Sequence, residues 1–115
     1  MTAVLVTLAA GAVGAALRFL VTRAFAARPV GAVLVVNVVG SAIGGVLLAL
    51  ASGDIRMILL TGFCGGLTTF STFGVETIQL VMDGKARVAV LNVAANLVLG
   101  IGAAALGFGV AALAF

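Results

Sequence analysis

The chain has 115 residues, of which 64% are hydrophobic and 8% charged, with a formal charge of +3 and a mean hydropathy of +1.43. A soluble domain carries charge on about a quarter of its positions, so a water-facing surface is excluded and lipid is the expected solvent. The basic residues are scattered at segment ends rather than clustered on one face, which excludes a nucleic-acid footprint. With one cysteine and no histidine, an internal disulfide is impossible and a Cys/His metal site is not expected.

A helix needs about 20 residues to cross the hydrocarbon layer, and four apolar runs of that order follow one another, at approximately 3–27, 30–51, 55–82 and 88–115. The connections are a few residues long, so neighbouring helices are antiparallel. The expected fold is a single all-α integral membrane domain over 1–115.

The first run ends in Ala24-Phe25-Ala26, which resembles the small-residue cleavage site of a signal peptide. No positive charge precedes the apolar stretch, however, and Arg18 and Arg23 lie in its far end, so it is read as a retained helix. Arg18 stands about 22 Å along that helix. Two roles fit it: snorkelling to a membrane boundary, or drawing anions inward.

Pro29 opens the second run, where its missing N–H is harmless. Asn37, Ser41 and Gly44 recur there at i, i+4, i+7, one polar and small stripe. Gly40 and Gly44 form a G-x-x-x-G, and Gly11 with Ala15 a looser pair on the first helix. Such spacing suits close backbone approach in lipid, either within the chain or between copies. Four helices of this size enclose little space by themselves, so self-association is expected.

Ser52-Gly53-Asp54 is a turn signal. The third run carries Gly65-Gly66-Leu67-Thr68-Thr69-Phe70-Ser71-Thr72-Phe73-Gly74 in its middle. Hydroxyls that compete for backbone groups, β-branching and glycine all weaken a helix, so a break at membrane depth is predicted around Gly65-Gly66 and the hydroxyl string. A break frees carbonyls that suit a hard cation such as Na⁺, while the restarting half-helix aims amide ends at the same region. A kinked helix without function fits the same pattern. Phe70 and Phe73, three apart, share a face. Their rings have positive edges that attract a small anion weakly, although packing against lipid would equally place them there. Asn37 offers amide donors and Ser71 or Thr72 hydroxyl donors. Glu76 is the only carboxylate far from a turn and is expected to pair with a basic group or face a vestibule. Cys64 is read as filler beside the glycines.

Asp83-Gly84-Lys85 makes the last turn, and the fourth run repeats Asn92, Asn96 and Gly100 every four residues. Arg23, Arg28, Lys85 and Arg87 fall on one side, with Arg56 and the amino terminus on the other, too slight a bias to fix one orientation by the positive-inside rule. No residues are arranged for catalysis, so an enzyme is not expected.

Gly62-Phe63-Cys64-Gly65-Gly66-Leu67-Thr68-Thr69-Phe70-Ser71-Thr72-Phe73, followed by Val75-Glu76, resembles the third-helix signature of the CrcB/Fluc family of fluoride channels. Gly11, Gly14, Arg18 and Phe19 resemble that family's first-helix motif, and Val36-Asn37-Val38 with Gly40 its second. Three motifs in order over nearly the whole chain make the resemblance specific. It implies an antiparallel, dual-topology homodimer in the cell (plasma or inner) membrane, with two fluoride pathways and a structural Na⁺ at the helix breaks held by the backbone carbonyls of Gly65 and Thr68. By the same resemblance Phe70 and Phe73 flank the fluoride path and Asn37 lies beside it. The fourth helix departs from the family: some relatives carry Tyr or His and then Ser along a polar track, where this chain offers Asn96, Gly100 and Ala104. Fluoride is small and tightly hydrated, so donors and ring edges must replace its water, and a fixed Na⁺ offsets part of the field. Trapped inside cells after entering as HF, the anion would leave passively through such a pore.

Two other functions compete. A small multidrug exporter of similar size needs a carboxylate embedded in its first helix, and this first helix has Arg18 and no acid. A non-conducting subunit that needs a different partner in a heterodimer is the other.

Overall fold

Each of the four apolar runs is long and apolar enough to cross a membrane as a helix in the computed structural model, which describes residues 1–115. Helix α1 spans Thr2–Ala24 and α2 Pro29–Leu50. The third span comprises α3 (Gly53–Arg56), a π-helical segment (Met57–Cys64), α4 (Gly65–Leu67) and α5 (Ser71–Met82). Helix α6, Ala86–Ala114, is the fourth.

The turns follow from local chemistry. Helix α1 stops three residues before the expected Ala27, because Pro29 takes the first-turn position of α2 and Arg28 ahead of it is out of the helical region (φ −137°, ψ 67°), which the residue before a proline disfavours. Gly53 and Gly84 turn the chain at φ +56° and +77°, where a side chain would be strained. Arg56 reaches back over the end of α2, donating from Nε to the Ala51 carbonyl at 2.8 Å and from Nη2 to Leu48 at 3.2 Å. It thereby satisfies carbonyls that the helix end leaves open.

Packing is by small residues inside and large ones outside. Gly14, Gly40, Gly44, Gly45, Gly62 and Gly100 are buried, whereas Leu8, Leu20, Val98 and Ile101 are more than half exposed. In lipid the hydrocarbon tails are as apolar as leucine, so helices associate by close packing. A Cβ on Gly14 would run into the Phe63 carbonyl oxygen, and one on Gly66 into that of Gly11, so α1 lies on the backbone of the third span. Likewise α2 and α6 touch backbone to backbone: Gly45 faces the Ala104 carbonyl and Gly107 that of Ala42. The Gly40-x-x-x-Gly44 pair meets Thr68 and Leu60 of the third span, so it serves packing within the chain.

The break in the third span begins two residues beyond the two glycines, within the hydroxyl string. Gly65 and Gly66 remain helical, and the chain leaves the helix over Thr68–Phe70. Gly66 is there for close approach to α1. The helix ends at the hydroxyl residues that follow, where Asn37 of α2 takes the Thr69 peptide groups. Upstream, the Gly65 N–H bonds the Leu60 carbonyl, five residues back, in the wide π turn that often marks a functional segment.

Candidate functional site

The last helical bond before the break runs from the Thr68 N–H to the Cys64 carbonyl (2.9 Å), which also accepts the Thr68 hydroxyl at 2.9 Å. In a continuing helix the Thr69 N–H would donate to Gly65. It donates instead to Asn37 Oδ1 at 2.8 Å, while Asn37 Nδ2 donates to the Thr69 carbonyl at 3.1 Å. The side-chain amide of Asn37 thus pairs with one residue of the third span as a neighbouring strand would. Thr69 also bonds the half-helix that follows. Its Oγ1 accepts the Thr72 N–H at 3.2 Å, the spacing of an N-cap to the third helical N–H. That bond diverts the donor the Thr68 carbonyl would have received. The carbonyls of Gly65 and Thr68 are therefore the two whose helical donors are demonstrably turned elsewhere.

Asn37 belongs to a longer chain of hydrogen bonds. Its Nδ2 also donates to Asn96 Oδ1 at 3.1 Å. Asn96 Nδ2 donates to the Asn92 carbonyl (2.9 Å) and to Asn92 Oδ1 (3.0 Å). Asn92, 6% exposed, donates to Thr77 Oγ1 at 3.2 Å, and the Thr77 hydroxyl to the Phe73 carbonyl at 2.7 Å. The network ties α2, α5 and α6 together at membrane depth, where an unpaired amide is costly.

A groove of about 640 Å³ opens beside the break, with Asn37, Ser41, Thr69, Phe70, Phe73 and Asn96 on its walls. The Phe70 and Phe73 ring centroids are 5.8 Å apart with planes at 51°. Phe70 stands just before α5 rather than on it and is 84% exposed. A second cavity of about 260 Å³ holds Arg18, Thr22, Thr72 and Glu76. Thr69 lies on the walls of both, so both spaces border the break. Glu76 faces this cavity with Oε2 buried and without a hydrogen-bond partner.

Of the residues singled out from sequence, Phe70, Phe73, Asn37, Asn96 and Thr68 come together on the groove, and Arg18, Thr72 and Glu76 on the other cavity. Ser71 is exposed on the α5 terminus, with its Oγ 3.4 Å from Thr69 Oγ1; Gly65 borders a neighbouring pocket with Thr68. Sequence reasoning missed Thr69 and Thr77. Thr69 carried a faint signal, a hydroxyl three residues ahead of a helical N–H, but the usual Glu or Gln partner of a capping box is absent.

Comparison with known proteins agrees with the helix-break motif. The family model described as CrcB-like protein, Camphor Resistance (CrcB), matches residues 5–108. A protein of Nocardia farcinica named fluoride-specific ion channel FluC 1 is 48% identical over 99 residues, covering 81% of this chain and 69% of its own. Fluoride-specific ion channel FluC 2 of Rhodococcus jostii is 44% identical over 112 residues, 94% and 96% of the two chains. FluC 1 of Thermobifida fusca is 42% identical over 113 residues, 93% and 92%. A helix break held by Asn37 beside two cavities, on a chain matched from residue 5 to 108, makes this a member of the CrcB family.

Proposed function

We propose that the chain is a fluoride-selective channel rather than an enzyme, letting the anion leave across the cell (plasma or inner) membrane down its electrochemical gradient and so lowering its toxicity. The observation that carries this is the pair of aromatic rings at the break: Phe70 and Phe73 stand 5.8 Å apart on the walls of a groove that shares Thr69 with the Arg18 cavity. Ring edges are electropositive but not charged, so they replace water around an anion without trapping it. Asn37 and Asn96 form the polar wall, Ser71 and Thr72 the approach, and Arg18 and Glu76 set the field of the vestibule. The relatives named as fluoride-specific channels support the choice of ion.

One copy leaves the groove open on one side, so a second copy is needed to enclose it. The expected assembly is an antiparallel homodimer of dual topology, with a heterodimer of related subunits as the variant. A structural sodium ion suits the same place. The Gly65 and Thr68 carbonyls, freed of their helical donors by Asn37 and Thr69, are hard neutral ligands of the kind Na⁺ takes in broken helices. When bound, the ion supplies fixed positive charge beside the anion path. Nothing favours the multidrug exporter, since α1 has no carboxylate.

The test is efflux from liposomes holding only this protein, with fluoride and chloride electrodes in parallel. Fluoride release without chloride release is expected. No halide release, or release of both at equal rates, overturns the proposal.

A further inference from the structure

The polar side chains on the groove differ in whether their donors are free. Both Asn37 N–H bonds are committed, to Thr69 and Asn96, and both Asn96 N–H bonds to Asn92. The Thr68 hydroxyl donates to Cys64, and the Thr69 hydroxyl to Thr72 Oγ1. Ser41 remains. Its Oγ, half-buried on the same wall, makes no hydrogen bond within the chain. A serine inside a helix ordinarily turns its hydroxyl back to the carbonyl four residues earlier, and this one does not. Across from it Gly100 leaves space: a Cβ built there would lie 3.6 Å from Ser41 Oγ, an ordinary contact.

We propose that Ser41 supplies the side-chain hydrogen bond that a fluoride ion receives within the groove, and that Asn37 and Asn96 are positioning residues there. The role rests on the fluoride path proposed above. A bare, small anion passing between ring edges needs at least one true donor to replace its lost water, and a hydroxyl bonded to nothing else gives that without first breaking a bond. An amide of Asn37 or Asn96 has to release Thr69, Asn96 or Asn92 before it reaches the ion. Bonds to a charged partner are roughly twice as strong as neutral ones, so a single free hydroxyl at this point discriminates strongly.

The experiment compares fluoride efflux from liposomes bearing wild-type protein, Ser41→Ala, Ser41→Cys and the double variant Ser41→Ala/Gly100→Ser, with assembly followed by size-exclusion chromatography. Loss of one hydrogen bond to a charged group predicts a drop of at least about tenfold in Ser41→Ala, with assembly unchanged. Ser41→Cys, nearly the same shape with a weak donor, falls between. The double variant returns a hydroxyl to the same gap from the opposite helix and restores flux. Wild-type flux in Ser41→Ala overturns the role of Ser41, as does a loss that the double variant leaves unrepaired, since that marks a packing effect. Where Ser41→Ala does not assemble, Ser41→Cys decides, and wild-type flux there overturns the role. A wild-type protein that passes no fluoride removes the channel assignment itself.

Discussion

Asn37 holds Thr69 by both ends of its backbone, accepting its N–H at 2.8 Å and donating to its carbonyl at 3.1 Å. A chain break at membrane depth has no water to satisfy its peptide groups, and here one side chain of another helix does so for both groups of Thr69. Replacing Asn37 by Ala leaves a buried N–H and carbonyl unpaired, with an expected loss of about 2 kcal/mol. Thermal unfolding in detergent measures this. Thr69→Val, which removes the cap to Thr72, loses about 1 kcal/mol. Because both groups hold the same three residues, the two losses should not add. A strictly additive double variant would separate the clamp from the cap.

Phe70→Ile or Phe73→Ile removes a ring edge while keeping apolar bulk. If each aromatic contact is worth about 1.4 kcal/mol to the passing anion, fluoride efflux falls about tenfold and assembly is retained. Wild-type efflux in both variants would take the rings out of the path.

The glycines make a signed prediction. Gly14→Ala and Gly45→Ala push a methyl into the carbonyls of Phe63 and Ala104 and are expected to destabilise by about 1–3 kcal/mol. Gly102, with nothing within 4 Å of its Cβ position, gives the opposite sign: Gly102→Ala stabilises the helix by up to about 1 kcal/mol. Melting temperatures of the three variants check the contrast.

Sodium should stabilise the assembled protein if the Gly65 and Thr68 carbonyls hold it. At one hundred times its dissociation constant a ligand adds about 2.7 kcal/mol. The melting temperature is expected to rise with sodium chloride and not with choline chloride at equal ionic strength. Equal curves in the two salts would remove the ion from the proposal.

The spans were legible because lipid imposes one rule on nearly every position, and in a run such as Val30–Leu50 only Asn37 and Ser41 depart from it. The break was legible as a region, since Gly65 to Gly74 is rich in residues that weaken helices. Of the two parts named, the hydroxyl string carries it, at Thr68 to Phe70, whereas Gly66 serves the approach to α1 and both glycines stay helical. Asn37 was readable as a polar residue needing a partner. That the partner is the Thr69 peptide, 32 residues on, follows only from how α2 lies against the third span. The Asn92–Asn96 repeat showed its spacing but not its direction, and the commitment of its N–H groups is what leaves Ser41 as the free donor.

The wide turn between Met57 and Cys64 has a consequence for how the gene can vary. Elsewhere in these spans, losing one codon would swing every later side chain by about 100° around the helix axis and scatter the aromatic pair and the hydroxyls. A π segment stores surplus residue within its own coil, so a single deletion there can relax to ordinary α-helix while both flanks keep their facing. This stretch is the place in the third span where length can change without disturbing the passage it leads to.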